Sequence, residues 1–220
     1  MASWESIYQS GQQLNKYPFS EIVSLIFQMK KSNQSLKVLE LGCGAGNNIY
    51  FMASEGIQCA GIDCSPSALR FATSRIEESQ LTADLRVGCF TNLPWSANSF
   101  DLVIDRSALN CVPREQIKTA LQQVHRVLKP GGRIFSQIYA DSHPAHHSAL
   151  NTSPEFSKGM LHEGFQDIDG LFFASALDIK QLFGHFVKTS VSLNKAETLS
   201  GRITSAQWSI IAYKSDVDQS

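Results

Sequence analysis

The chain has 220 residues, 43% of them apolar and 18% charged, and its formal net charge at pH 7 is −1. This balance excludes a disordered chain, and 14 Gly with 7 Pro exclude a collagen-like or low-complexity array. No uninterrupted apolar stretch approaches the roughly 18 residues that span a membrane, and the first residues lack the basic and apolar regions of a signal peptide. We therefore expect a cytoplasmic protein that has no membrane partner.

The charged residues and cysteines also narrow the choice of partners. The 19 Lys and Arg are matched by 20 Asp and Glu, whereas long nucleic acids are usually bound by a basic excess. We therefore expect no nucleic-acid partner. The 5 Cys form no C-x-x-C pair and are odd in number, which favours reduced thiols over a disulfide or zinc framework. The oligomeric state stays open between a monomer and a homodimer.

Helical spacing of apolar residues predicts a helix at residues 19–29, preceded by an aromatic lead that contains Trp4, Tyr8 and Tyr17. From residue 37 onward the pattern changes to alternating strands and helices. Strands are predicted at 37–41, 57–62, 85–88, 100–104 and 133–138, and helices at 47–55 and beginning at 65 and 113. This alternation predicts an α/β fold with a doubly wound, mostly parallel sheet covered by helices on both faces.

The alternation stops after the fifth strand. Residues 141–170 show no clear period, and such a stretch inside a domain is usually functional, so we interpret it as a lid insert. A helix is predicted at 175–183, followed by strands at 186–194 and 203–214. The connection between these two strands is too short for a crossover helix, so they should form an antiparallel hairpin.

A glycine loop between the first strand and the next helix is the richest signal. Gly42, Gly44 and Gly46 allow a tight turn and the close approach of a ligand, and the helix that follows points its amides at that ligand. Asp63, at the end of the next strand, can accept hydrogen bonds from both hydroxyls of a ribose. Glu40, just before the loop, favours a ligand with an ammonium group over a pyrophosphate. The alternative is a tight turn that binds no ligand.

Four passages in order resemble the motifs of class I S-adenosylmethionine-dependent methyltransferases: ELGCGAG at 40–46, GIDCSP at 61–66, NLPW and SFDLV at 92–103, and LKPGGR at 128–133. The resemblance covers residues 37–138 well and the final hairpin in outline. It implies a Rossmann-like sheet of seven strands with the last one antiparallel. It also implies S-adenosyl-L-methionine as the cofactor and S-adenosyl-L-homocysteine as its product.

The resemblance also implies a set of cofactor-binding residues. The three loop glycines would wrap the methionine and ribose parts, Glu40 would orient the methionine end, and Asp63 would hold the ribose. The family usually has an Asp near position 89, where this chain has Cys89, so backbone amides would read the adenine instead. Phe90 either packs on the adenine edge or is a core aromatic. The predicted set is Glu40, Gly42, Gly44, Gly46, Asp63, Cys64, Cys89, Phe90, Asp105 and Tyr17.

The end of the fourth strand should face the methyl acceptor. It lacks the Asn/Asp-Pro-Pro-aromatic signature of enzymes that methylate bases or amide side chains. Residues 105–109, DRSAL, resemble the DRGAL stretch of thiopurine-type methyltransferases, which act on small thiols. Arg106 would grip an anionic substrate, or else pair with Asp101 or Asp105. The candidate catalytic residues are Asp105, Arg106 and His143.

The lid also carries His146 and His147 as candidate bases. The His-x-x-His-His grouping lacks carboxylate or Cys partners at metal-ligand spacing, so we predict no metal site.

We therefore predict one methyltransferase domain over 1–220, made of an N-terminal arm and helix (1–35), a cofactor-binding core (36–140), the lid insert (141–170) and a C-terminal helix and hairpin (171–220). It should transfer a methyl group to a small-molecule acceptor at an O, N or S atom that the sequence does not identify. Two alternatives stay open. One is a catalytically silent scaffold that keeps the fold and the cofactor, and the other is an NAD(P)-dependent oxidoreductase.

Overall fold

The computed structural model describes residues 3–216, so the parts of the predicted domain at 1–2 and 217–220 lie outside the described residues. The strands are β1 (Lys37–Leu41), β2 (Gln58–Asp63), β3 (Asp84–Val87), β4 (Phe100–Arg106), β5 (Leu128–Tyr139), β6 (Ala149–Asn151), β7 (Ser157–Met160), β8 (Gly170–Leu171), β9 (Val187–Glu197) and β10 (Ile203–Tyr213). The helices are α1 (Trp4–Gln9), α2 (Ser20–Lys30), α3 (Asn47–Ser54), α4 (Pro66–Glu78), α5 (Arg114–Val127), α6 (Pro144–His147) and α7 (Ala176–Leu182), with a 3₁₀ turn at Leu109–Cys111.

The main sheet has seven strands in the order β3-β2-β1-β4-β5-β10-β9. The first five pair in parallel, whereas β10 runs antiparallel to β5 and β9 runs antiparallel to β10. The predicted fold class, with its C-terminal antiparallel hairpin, is confirmed. The strand order reverses between β1 and β4, and in open sheets of this kind ligands bind outside the carboxyl ends of the strands at that reversal.

Two apolar clusters cover the two faces of this sheet. One contains the inward faces of α5 and α7, including Leu121 and Ile179. The other contains those of α2, α3 and α4, including Ile26, Met52 and Leu69. Both clusters follow from the helical spacing of apolar residues, and together they hold the parallel strands in a fixed frame. Among residues 3–216, no helix combines the length and the apolar character needed to cross a membrane.

The structure departs from the sequence prediction in the short elements. The insert at 141–170 contains α6 and most of a small antiparallel sheet, β6-β7-β8, where the sequence predicts no regular structure. These strands have two to four residues each, which is too few to show a period. Helix α1 is missed for the same reason. Strand β5 begins at Leu128 rather than at the predicted residue 133, and residues 129–132 form a register irregularity inside it.

The glycine loop is fixed by backbone conformation and by packing. Gly42, Gly44 and Gly46 have φ values of +58°, +52° and +74°, in the left-handed region that L side chains rarely adopt. A Cβ on Gly42 would also overlap the Cβ of Ala108, which follows β4. The loop therefore needs glycine both to turn and to sit against the neighbouring strand end.

Two alanine variants separate the conformational requirement at Gly42 from the packing requirement, with Gly56 as the matched control. Gly56 has a φ of +70° and no atom within 4 Å of an added Cβ, so Gly56→Ala costs only the conformational term of about 1–2 kcal/mol. We expect Gly42→Ala to cost a further 1–3 kcal/mol, approximately, because it also overpacks against Ala108. Urea unfolding measures both variants, and equal losses would contradict this account.

Candidate functional site

A cavity of about 450 Å³ lies at the carboxyl ends of the parallel strands. One group of its lining residues comes from the ends of β1, β2 and β3 and includes Glu40, Gly44, Asp63, Cys64, Cys89 and Phe90. A second group comes from the end of β4, from β5 and from the insert, and includes Arg106, Ser107, Tyr139, Phe165 and Ile168. The first group is the predicted cofactor side, and we call the second group the acceptor wall.

Glu40 is the most unusual residue of the cofactor side. Its side chain is buried on β1, and Oε1 accepts a hydrogen bond of 2.6 Å from Asn48 Nδ2. Oε2 is also buried but has no hydrogen-bond partner among the described residues. Burial raises the pKa of Glu40 to about 8, an effect that the Asn48 bond opposes and the nearby Asp63 reinforces. A buried acceptor without a donor is costly, so this oxygen is suited to a donor on a ligand in the cavity.

Asp63 ties the glycine loop to the end of β2. Its Oδ2 accepts from the Gly44 amide at 2.9 Å and its Oδ1 accepts from the Ser65 amide at 2.8 Å. Burial raises the pKa of this carboxyl, and the two amide bonds oppose that shift. Each carboxylate oxygen has a second lone pair, so Asp63 can still accept from hydroxyl groups in the cavity.

Helix α1 lies over the glycine loop. Trp4 and Tyr8 line the cavity, and the Tyr8 hydroxyl sits so close to Gly44 that a Cβ there would overlap it. Glu5 fastens this helix by accepting from Ser65 Oγ at 2.5 Å and from the Ser67 amide and hydroxyl at the start of α4. The hydrogen bond from Ser65 is the main reason that the pKa of Glu5 falls to about 2. The aromatic lead thus contributes directly to the cavity wall.

Three predicted cofactor-binding residues, Gly46, Tyr17 and Asp105, do not line the cavity. Gly46 lies behind the loop as the N-cap of α3. Tyr17 is 76% exposed on the surface, in a shallow groove beside Tyr50 and Arg75. Its backbone carbonyl accepts a hydrogen bond of 3.0 Å from Asn47 Nδ2, while its side chain stays outside the cavity lining. The Tyr17 side chain therefore lies outside the cavity, and this position does not fit the cofactor contact expected for it.

Asp105 is buried behind the cavity rather than in its wall. Its Oδ1 accepts from the Ala108 and Leu109 amides at 2.9 and 3.0 Å, and its Oδ2 accepts from Ser136 Oγ at 2.6 Å. Burial raises its pKa to about 6, an effect that these bonds oppose. Asp105 thus fixes the backbone after β4, and this position does not fit the base or cofactor-binding role expected for it.

His143 is also placed behind the wall. It is 3% exposed, and its Nδ1 accepts from the Ala145 amide at the start of α6. Its ring packs against Tyr139 and Phe165, with centroids 5.0 and 5.2 Å away. Burial lowers the pKa of His143 to about 4. His143 therefore packs beneath Tyr139 and Phe165, two residues of the acceptor wall. This position does not fit the catalytic role expected for His143.

Arg106 is the one candidate catalytic residue that lines the cavity. Its Nε lies 3.3 Å from Glu21 Oε1 and its guanidinium lies 4.3 Å from the centre of the Phe19 ring. Of the alternatives left open for Arg106, pairing with Asp101 is not seen among the described residues, where Asp101 pairs with Lys129 on β5 at 2.8 Å. The sequence analysis does not single out Glu21 and Phe19, because Glu21 lies on α2 and Phe19 is the N-cap of that helix, far from Arg106 in the chain.

The acceptor wall also contains residues that the sequence did not single out. Cys111 and Val112 come from the turn after β4, while Phe165, Ile168 and Leu171 come from the insert and its short sheet. The positions of the insert residues depend on how the insert folds back over the sheet, and no local sequence motif predicts that fold. The insert therefore contributes side chains to the cavity.

Known proteins are similar to this chain in the sequence of its core and in its fold. A methyltransferase-domain family model matches residues 38–132. An uncharacterized methyltransferase of Synechocystis sp. is 36% identical over 102 residues, which are 46% of this chain and 46% of that protein. Phosphoethanolamine N-methyltransferase 1 of Arabidopsis thaliana is 30% identical over 131 residues, which are 59% of this chain and 25% of that protein. The matched stretches thus make up less than half the length of these relatives.

A solved structure extends the likeness of the fold beyond the matched core. A SAM-dependent methyltransferase of Methanosarcina mazei superposes with a TM-score of 0.69 at 20% identity, covering 86% of this chain and 97% of that one. The matched core holds β1, Glu40, the glycine loop and Asp63, and the sheet has the strand order described above. Residues 38–132 of the chain therefore match a methyltransferase domain, and the whole fold is similar to that of a solved SAM-dependent methyltransferase.

Proposed function

We propose that this chain transfers a methyl group from S-adenosylmethionine to a small-molecule acceptor and releases S-adenosylhomocysteine. The observation that carries the proposal is the buried Oε2 of Glu40, which lines the cavity side of β1 without a hydrogen-bond partner among the described residues. S-adenosylmethionine carries an ammonium group that would satisfy this oxygen. A nicotinamide dinucleotide would instead bring a pyrophosphate toward a buried carboxylate.

The residues on the cofactor side fit this donor. Glu40 would hold the ammonium group, and Asp63 would accept from the ribose hydroxyls. The glycine loop leaves space for the part of the donor that joins these two groups. When bound, the donor supplies a methyl group already activated by its sulfonium. The protein then has to align the acceptor and exclude water, and Trp4 and Tyr8 on α1 are placed to do the second.

The acceptor wall supports a small acceptor that needs little base catalysis. No His, Asp or Glu lies among the described residues of this wall, although Glu40 and Asp63 line the opposite side. An oxygen nucleophile usually needs a base, whereas an amine in its neutral form or a thiolate already presents a reactive lone pair. An amine or thiol acceptor is therefore part of the proposal. The printed name of the Arabidopsis relative, an N-methyltransferase acting on phosphoethanolamine, is compatible with it.

Removal of the Asp63 carboxylate tests the cofactor assignment. We expect Asp63→Ala to weaken binding of S-adenosylmethionine at least about tenfold, or about 1.4 kcal/mol, in calorimetric titrations. Asp84→Ala is the control, because Asp84 starts β3, bonds Arg86 and Trp95, and lies outside the cavity lining. An unchanged dissociation constant for Asp63→Ala, or binding of NADH alone by the natural protein, would refute the assignment. Donor binding without methyl transfer to any acceptor would instead favour the silent scaffold.

Glu40 should also give the ligand-free fold a characteristic pH dependence. Its folded pKa of about 8 lies above the ordinary 4.5, so its protonated form stabilises the fold at low pH. That contribution is lost as the pH rises from about 4.5 to about 8. We expect Glu40→Gln to gain stability relative to the natural protein over this range, by up to about 1.4 kcal/mol per pH unit.

Urea unfolding at a series of pH values measures this difference. Glu77→Gln, at an exposed position on α4, is the control and should show no such trend. The same Glu40→Gln protein should bind S-adenosylmethionine more weakly, because the amide cannot offer a charge to the ammonium group. A stability difference that does not change with pH would show that Glu40 is already ionised in the ligand-free fold.

A further inference from the structure

Arg106 is the only cationic side chain among the described residues that line the cavity. We propose that it binds an oxyanion of the methyl acceptor, so that the acceptor is a small molecule with an apolar or aromatic body and a carboxylate or phosphate group. This inference rests on the proposed function and names the substrate class of the same site.

The guanidinium of Arg106 is held in a fixed orientation. It stacks on Phe19 at 4.3 Å, its Nε faces Glu21 at 3.3 Å, and its Nη1 donates to Ser107 Oγ at 3.1 Å. Ser107 is itself fixed, with a φ of +61° and a hydrogen bond of 2.6 Å from Gln207 Nε2. A planar guanidinium oriented in advance in this way matches the geometry of a carboxylate or phosphate.

The contacts of Arg106 leave it able to bind a ligand. The hydrogen bonds to Glu21 and Ser107 come from Nε and Nη1, and Nη2 donates to neither of these two residues. The pair with Glu21 is partly open to solvent, with the two side chains 24% and 35% exposed. Ion pairs in such positions are weak, so an oxyanion in the cavity can compete with Glu21 for the guanidinium.

The surroundings of Arg106 indicate the rest of the ligand. Tyr139 lies beside Arg106 and Ser107, and burial raises its phenol pKa, so its hydroxyl stays protonated and can donate to an oxyanion. Phe165, Ile168 and Leu171 add apolar side chains to the acceptor wall. The acids of the cavity, Glu40 and Asp63, come from the other group of lining residues, so the acceptor wall itself carries no acidic side chain among the described residues.

Titration of three related probes tests this inference. The protein saturated with S-adenosylhomocysteine is titrated with benzoate, phenyl phosphate and benzamide, which share a ring and differ in charge. We expect at least one of the two anions to bind about tenfold or more tightly than the neutral amide. The tighter of the two anions then assigns the group as a carboxylate or a phosphate.

Two variants with opposite effects sharpen the test. Arg106→Gln should abolish the preference for the anions, whereas Glu21→Gln should strengthen anion binding about threefold or more by freeing the guanidinium. Arg133→Gln is the matched control, because Arg133 also stacks on an aromatic ring, that of Tyr213, but lies outside the cavity lining. Thermal unfolding confirms that each variant is folded.

The outcomes separate this inference from the proposed function. Binding of benzamide as tight as that of the anions, no binding of either anion, or an anion preference that survives Arg106→Gln would overturn the role of Arg106. In all variants the affinity for S-adenosylhomocysteine should stay within about twofold of the natural value. If the product does not bind to the natural protein, the proposed function fails, and the probes are titrated into the free protein with the same criteria for Arg106.

Discussion

The burial of three carboxylates at one edge of a parallel sheet governs this structure. Asp63 and Asp105 are compensated, the first by the amides of Gly44 and Ser65 and the second by two amides and the Ser136 hydroxyl. These bonds shape the glycine loop and the turn after β4. Glu40 is compensated at one oxygen only, so the fold retains a buried acceptor that a cationic ligand can satisfy.

The other parts of the molecule serve the cavity around that acceptor. Glu5 fastens α1 to the start of α4, which places Trp4 and Tyr8 in the wall. The insert folds back with its own short sheet and adds Phe165 to the opposite wall. The N-terminal helix and the insert therefore both line one cavity at the edge of the parallel sheet.

The sequence predicts the sheet, and most of the residues that it singles out around the glycine loop line one cavity, because both signals are local. Alternating periods define the strands, and the glycines next to Glu40 define the loop. The direction of a side chain depends on tertiary packing and cannot be read from local sequence. Asp105 and His143 are therefore buried outside the cavity lining, and Tyr17 is exposed on the surface. The pairing of Arg106 with Glu21 joins residues 85 positions apart, and only the packed α2 helix brings them together.

The central claim is that the unpartnered oxygen of Glu40 receives the ammonium group of the methyl donor. A crystal structure of the protein with S-adenosylhomocysteine tests it most directly, because the product keeps that ammonium group. We expect a hydrogen bond from the ammonium nitrogen to Glu40 Oε2, with Asn48 still bound to Oε1. A product bound elsewhere, or bound in the cavity with Oε2 still without a partner, would contradict it.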